Sequence, residues 1–260
     1  MPKKITLIKS FNKLLLSVNT RIESFFNILK ILLNSKKKTK NNLANIDKKI
    51  IISIGSVVIL VISYFLIPTF YDKNLVKTKL TNQIFEQYNL EVNFNGTIRY
   101  RLFPKPHYFI KDTNIIYSEE ALAKTDSTKV FISIKNFFSF KKFKIKNINF
   151  ENTDFNINSN NFRFFEKILN FNKSEHNINF NVCNLFYKDQ NEDVIFLIKI
   201  ERLNFLYTVE FEQQLKAKLK IFNIPFKIDV VNNSQKKNVF INIDSHKLRL
   251  NIDNNFDYNE

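Results

Sequence analysis

Residues 215–221 read LKAKLKI, in which Leu215, Ala217, Leu219 and Ile221 alternate with Lys216, Lys218 and Lys220. A period of two puts successive side chains on opposite faces of a strand, so this segment presents one apolar face and one row of ammonium groups. A helix would scatter the same four apolar residues around its axis. The segments that follow, IPFKIDV (224–230), VFINI (239–243) and LRLNI (248–252), repeat the alternation, and the polar stretch VNNSQKKN (231–238) reads as a turn between two of them.

Working back from this heptapeptide, the same period appears in Val92 and Phe94, in Ile98, Tyr100 and Leu102, in Val130, Ile132 and Ile134, and in Phe143 and Ile145. It continues in Ile148 and Phe150, in Phe155 and Ile157, in Ile178, Phe180 and Val182, and in the run Leu203, Phe205, Tyr207, Val209 and Phe211. About ten strands of this kind predict an antiparallel sheet with one wet and one apolar face. Such a face needs a cover. The sheet must fold over as a sandwich, close as a barrel, or remain a groove for apolar ligand.

Two short helices interrupt the strands. In KNLVKTKLTNQIFEQYN (73–89), Val76, Leu80, Ile84 and Tyr88 fall on one helical face with Leu75 and Phe85 beside it. In NNFRFFEKILNF (160–171), Phe162, Phe165, Ile168 and Leu169 predict a short helix laid against the sheet.

Ahead of all this stands an uncharged run from Ile50 to Tyr71, IIISIGSVVILVISYFLIPTFY. At about 1.5 Å per residue it reaches roughly 33 Å, enough for a hydrocarbon core of about 30 Å, with Pro68 near its far end. Apolar residues on all sides exclude the polar stripe of a core helix, and a run lying this far from the N-terminus is not a cleaved signal core. One transmembrane helix is predicted. Residues 1–49 carry twelve Lys or Arg against Glu23 and Asp47, and short basic flanks stay cytoplasmic, so 72–260 is expected on the outside.

Within the basic segment, residues 11–34 have the apolar spacing of an amphipathic helix, followed by Lys36, Lys37, Lys38 and Lys40. These lysines fit an anionic leaflet, and equally a plain topology signal. Nucleic-acid binding is not expected, because no binding fold accompanies the charge and the lysines adjoin a membrane span.

Catalytic chemistry finds no foothold. His107, His176 and His246 are far apart and form no metal-ligand spacing, and each is expected on a polar strand edge or loop. The lone Cys183 permits no internal disulfide and reads as a small buried residue or inert thiol. Glu119 with Glu120, and Glu192 with Asp193, read as solvated turns, and two glycines in the whole chain leave no phosphate-binding loop. No enzyme activity, metal or cofactor is expected.

The order basic tail, single span, helix, then NLEVNFNGTIRYRLFPKPHYFIKDTNI (89–115) resembles the start of AsmA-like proteins, and TKVFISIKNFFSFKKFKIKNINFENTDFNI (128–157) is similar to that family's next block. Asn89 stands where many members have glycine, a replacement that its tolerance of left-handed backbone allows. The resemblance covers about residues 50–160 well and the rest loosely, and relatives continue well beyond Glu260, so this is expected to be a short or incomplete member.

The resemblance implies a membrane-anchored, mainly β, α+β architecture: one N-terminal transmembrane helix, a second helix, and a curled antiparallel sheet forming a groove. It divides the chain into a cytoplasmic basic segment (1–49), a span (50–71) and a periplasmic AsmA-like domain (72–260), anchored in the inner membrane of a Gram-negative bacterium. As in bridge-like lipid-transfer proteins, phospholipid would rest against inward residues, for which Ile98, Tyr100, Leu102, Ile132, Ile134, Leu215, Ala217, Leu219 and Ile221 are the candidates. Ordinary core packing is the alternative for each of them. The rival role is a scaffold in outer-membrane protein assembly, which needs an exposed strand edge rather than an apolar trough.

Overall fold

The computed structural model describes residues 48–260 apart from 136, 143, 170–176, 208–211 and 259–260. The expected helix over 11–34 and the expected strand positions Phe143, Val209 and Phe211 lie outside the described residues. Two compact units divide the chain, Met1–Leu60 and Val61–Glu260.

Helix α1 (Lys48–Leu66) is built from the uncharged run, and the stretch Ser53–Phe70 is long and apolar enough to cross a membrane. Pro68 cannot donate to a continuing helix, and the chain tightens into a 3-10 turn over Ile67–Phe70. Helix α2 (Lys73–Tyr88) follows at once. The Asp72 carboxylate caps it by accepting from the backbone N–H groups of Asn74 and Leu75, each at 2.9 Å. Asn89 ends it in the left-handed conformation, φ 50°, donating its N–H to the Phe85 carbonyl.

Among the described residues, eleven strands form one open sheet: β1 (Glu91–Phe94), β2 (Ile98–Arg101), β3 (His107–Tyr117), β4 (Glu120–Ile132), β5 (Ile145–Ile157), β6 (Ile178–Lys188), β7 (Val194–Tyr207), β8 (Glu212–Ile221), β9 (Ile224–Asn233), β10 (Asn238–Ser245) and β11 (Leu250–Asp257). From β3 onward the strands lie side by side in chain order, while β1 and β2 share the outer edge of β3. Gly96 joins those two pieces because the chain there presses against β3. A Cβ at Gly96 would lie 2.3 Å from the Lys111 carbonyl oxygen.

The sheet is mixed, which corrects the all-antiparallel expectation. β5 and β6 run parallel, and every other pairing is antiparallel. A parallel neighbour requires a long crossover, and the segment between Ile157 and Ile178, holding helix α3 (Phe164–Leu169), supplies it.

Across β3–β7 the paired ladder skips one row: Asp112, Asp126, Asn152, Val182 and Glu201. Asp112, Asn152 and Val182 in that row have φ of 49°, 56° and 55°. Each strand gains one residue there, so the inward positions change parity, from Ile110 to Thr113, from Phe150 to Thr153 and from Phe180 to Cys183. Phe150 and Phe155, which sequence periodicity assigns to two strands, therefore belong to one. Val182, expected inward beside Phe180, is 63% exposed, and Cys183 takes the inward place.

Along the aligned row the inner face becomes polar but satisfied. Thr128 donates to Thr113 at 2.8 Å, and the hydroxyls of Thr125 and Thr153 pair at 2.9 Å, all four residues being buried. On the outer face, Lys129 pairs with Glu151 at 3.2 Å and Lys220 with Glu201 at 2.7 Å.

Candidate apolar face and its tyrosine-held junction

Helix α2 covers the first part of the apolar face. Its Val76, Leu80, Ile84 and Tyr88 are fully buried, and it contacts β1 and β5. Burying each such side chain contributes about 1.5–3 kcal/mol. Leu75 and Phe85, on its flank, stay exposed. Helix α3 covers a second patch: Phe164 and Ile168 are buried, and the Phe164 ring meets Tyr117 edge-on at 5.7 Å. Phe162, expected in that contact, is 54% exposed, because the helix begins two residues later.

Between and beneath these helices the face is packed. Ile148, Phe150, Phe155, Ile178, Phe180 and Phe205 are buried, with Phe150 stacked on Phe180 at 4.8 Å. Past β8 the same face continues without cover from α2 or α3. Ala217 lies opposite Ile228, which lies opposite Ile243, which lies opposite Ile252, so one apolar row crosses four strands. Its exposure climbs outward, from 6% at Ala217 to 39% at Ile252 on β11.

The structure spreads the nine candidate groove residues over this gradient. Ile98 and Ile132 are buried in the packed half, and Tyr100 and Leu102 are half-buried near the end of β2. Ala217 and Leu219 are buried on β8, with Leu215 and Ile221 half-buried on the same face. Ile134 departs from the group: β4 ends at Ile132, and Ile134 is 46% exposed in the following connection. The lysines proposed for the membrane surface, Lys36, Lys37, Lys38 and Lys40, lie outside the described residues.

At one end of the strands, four tyrosine hydroxyls tie the end of α1 and its 3-10 turn to the sheet. Tyr100 donates to the Phe65 carbonyl at 2.8 Å, Tyr108 to Pro68 at 3.2 Å, Tyr64 to Ile134 at 2.6 Å, and Tyr71 to Phe137. Two of these bonds answer a specific need, because the last carbonyls of a helix and its terminal turn have no partner within it. Phe137, which periodicity did not single out, is buried, with Tyr64 stacked on it at 5.4 Å. Burial raises the Tyr100 phenol to about 12 and pushes Tyr108 higher still.

Residues 44–251 match the AsmA family. The chain belongs to the AsmA family. Among curated proteins, none matches it. Membership relates this AsmA-family chain to functions of the cell envelope.

The titratable groups of this AsmA-family chain are dispersed. Among the described residues, no group of three or more His, Cys, Asp or Glu is placed to hold a metal ion. His107, expected on a polar edge or loop, is instead buried at the start of β3, beside Phe131. Its Nδ1 lies 2.7 Å from the Lys105 carbonyl, and burial lowers its pKa against the opposing effect of that bond. His246 lies in the exposed turn before β11, and His176 lies outside the described residues. A cleft of about 570 Å³ opens on the polar face of β7–β11, with Arg202, Lys216, Lys218 and Lys227 in its walls beside Asp229 and Asp244. Walls of mixed charge do not suit acyl chains.

Proposed function

We propose that this AsmA-family chain is an inner-membrane-anchored, periplasmic protein that holds or conducts phospholipid toward the outer membrane, without catalysis or cofactor. The observation that supports this reading is the apolar row that runs on from Ala217 through Ile228 and Ile243 to Ile252, beyond the reach of the two covering helices. Acyl chains rest on that face while headgroups stay in water, each buried methylene contributing about 0.8 kcal/mol. The packed half, over β1–β6, serves as the rigid base of the track. Its residues Ile98 and Ile132 belong to the core, and Leu215 and Ile221 to the track itself.

A photo-crosslinker at Ile241 and at Ile252, with Lys218 as the outward control, tests this in intact cells. Phospholipid adducts at the two inward positions and none at Lys218 are expected. Absence of lipid at both inward positions would remove the conduit.

A second reading, a scaffold in outer-membrane protein assembly, is favoured by one feature. Every residue of β11 is exposed, and among the described residues β11 pairs only with β10, which leaves one strand edge open there to addition of a partner strand. Protein adducts along β11 in the same experiment would support it.

A further inference from the structure

Three phenylalanines at one end of the sheet are more exposed than apolar packing allows. Phe70 is 85% exposed, Phe103 80% and Phe138 79%. They come from three segments distant in sequence: the 3-10 turn, the connection from β2 to β3, and the connection from β4 to β5. The tyrosine bonds draw the three together. Tyr100 and Tyr108 fasten the β2–β3 region to Phe65 and Pro68, while the Phe138 ring lies 5.0 Å from Tyr64. The membrane-length apolar stretch Ser53–Phe70 ends at the same place.

Apart from Asp72, whose carboxylate is engaged in capping α2, the charges near these rings are positive. The two connections, 102–106 and 133–144, contain Lys105, Lys135, Lys141, Lys142 and Lys144 and no carboxylate. Apolar tips surrounded by lysines complement a bilayer surface, where rings enter the headgroup boundary and ammonium groups meet lipid phosphates. A protein partner would need carboxylates matched in position to each cation, whereas an anionic bilayer presents phosphates to all of them. The junction's hydrogen bonds tie the segments that carry or adjoin the rings to one another instead of leaving them on free loops.

We propose that this end of the sheet seats in the interfacial layer of an anionic phospholipid bilayer, with Phe70, Phe103 and Phe138 inserted and Lys105, Lys135, Lys142 and Lys144 at phosphate level. The proposal rests on the reading of α1 as a membrane anchor. It adds that the sheet is fixed against the bilayer, so that the apolar face begins where lipid is available.

The chain contains no tryptophan, so single substitutions give unambiguous fluorescence. Phe103→Trp and Phe138→Trp are prepared in the full chain and reconstituted in phosphatidylcholine and phosphatidylglycerol vesicles with brominated acyl chains. Ile62→Trp reports on the helix, and Phe222→Trp reports on the β8–β9 turn at the opposite ends of the strands, where Phe222 is 86% exposed. Circular dichroism checks that each variant folds.

Expected are blue-shifted emission and about a twofold loss of intensity for Phe103→Trp and Phe138→Trp, given insertion depths of about 5–10 Å, with Phe222→Trp unquenched. If both rim variants behave like Phe222→Trp while Ile62→Trp is quenched, the helix is anchored but the rim stands clear, and the proposal is overturned. If Ile62→Trp is also unquenched, the anchor reading fails and this proposal falls with it.

Discussion

Tyr100 on β2 donates its hydroxyl to the carbonyl of Phe65, 35 residues earlier, at 2.8 Å. This bond answers one of the orphan carbonyls at the end of α1, and Tyr108 does the same for Pro68. Tyr100→Phe is expected to cost about 1 kcal/mol and to increase proteolytic cleavage between residues 66 and 72. Thermal unfolding measures the first, and limited chymotrypsin digestion, which cuts after Phe70 and Tyr71, measures the second.

The same phenol makes a pH prediction. Its pKa in the folded chain, about 12, exceeds the ordinary 10.0, so the folded state favours the protonated form. The associated stability is complete below pH 10 and is lost as the pH rises toward 12. Lysines titrate in that window too, so the quantity to compare is the difference between wild type and Tyr100→Phe, which should narrow as pH increases.

Gly96→Ala places a methyl group where the Lys111 carbonyl already stands, at 2.3 Å. The edge formed by β1 and β2 must move away from β3, at a cost of about 1–3 kcal/mol. Urea unfolding reads this directly, and an unchanged midpoint would contradict the close approach.

Val182 holds φ at 55° with a β-branched side chain, 63% of which is exposed. Asn152, beside it in the skipped row, adopts a similar backbone with a residue that tolerates it. Val182→Asn should therefore stabilise the chain by about 1 kcal/mol, seen as a higher urea midpoint.

Cys183 is buried, and that burial raises its thiol to about 11, against hydrogen bonds with Thr153 that act the other way. At pH 8 a maleimide should label the native chain slowly and the urea-unfolded chain fast. Rapid native labelling would place Cys183 outside the core.

Lys218 faces Arg202 on one side and Lys227 on the other, three like charges in one cross-strand row. Neighbouring carboxylates moderate this: Asp244 lies opposite Lys227, and Glu201, bonded to Lys220, also feels Lys218. Lys218→Thr is expected to gain about 0.5 kcal/mol at low ionic strength, a gain that shrinks in salt. Chemical denaturation at two salt concentrations distinguishes this from a propensity effect.

Local patterning alone determined strands such as β8, because the alternation of Leu215, Ala217, Leu219 and Ile221 specifies a face without reference to the rest of the chain, whereas β3, whose burial does not alternate throughout, was not marked by it. It likewise determined α2, whose Val76, Leu80, Ile84 and Tyr88 repeat every fourth residue, and its left-handed end at Asn89. Tertiary structure alone decided where that alternation changes phase, since the skipped row is a property of five aligned strands and not of any one of them. It also decided the parallel pairing of β5 with β6, and which part of the apolar face the helices cover. Ile98 and Ile252 both carry apolar side chains on strands, yet the first is core and the second half-open, because cover depends on where α2 and α3 come to rest. The junction was invisible for the same reason: tyrosines 35 to 70 residues from their acceptors leave no periodic trace, and only folding brings donor and carbonyl together.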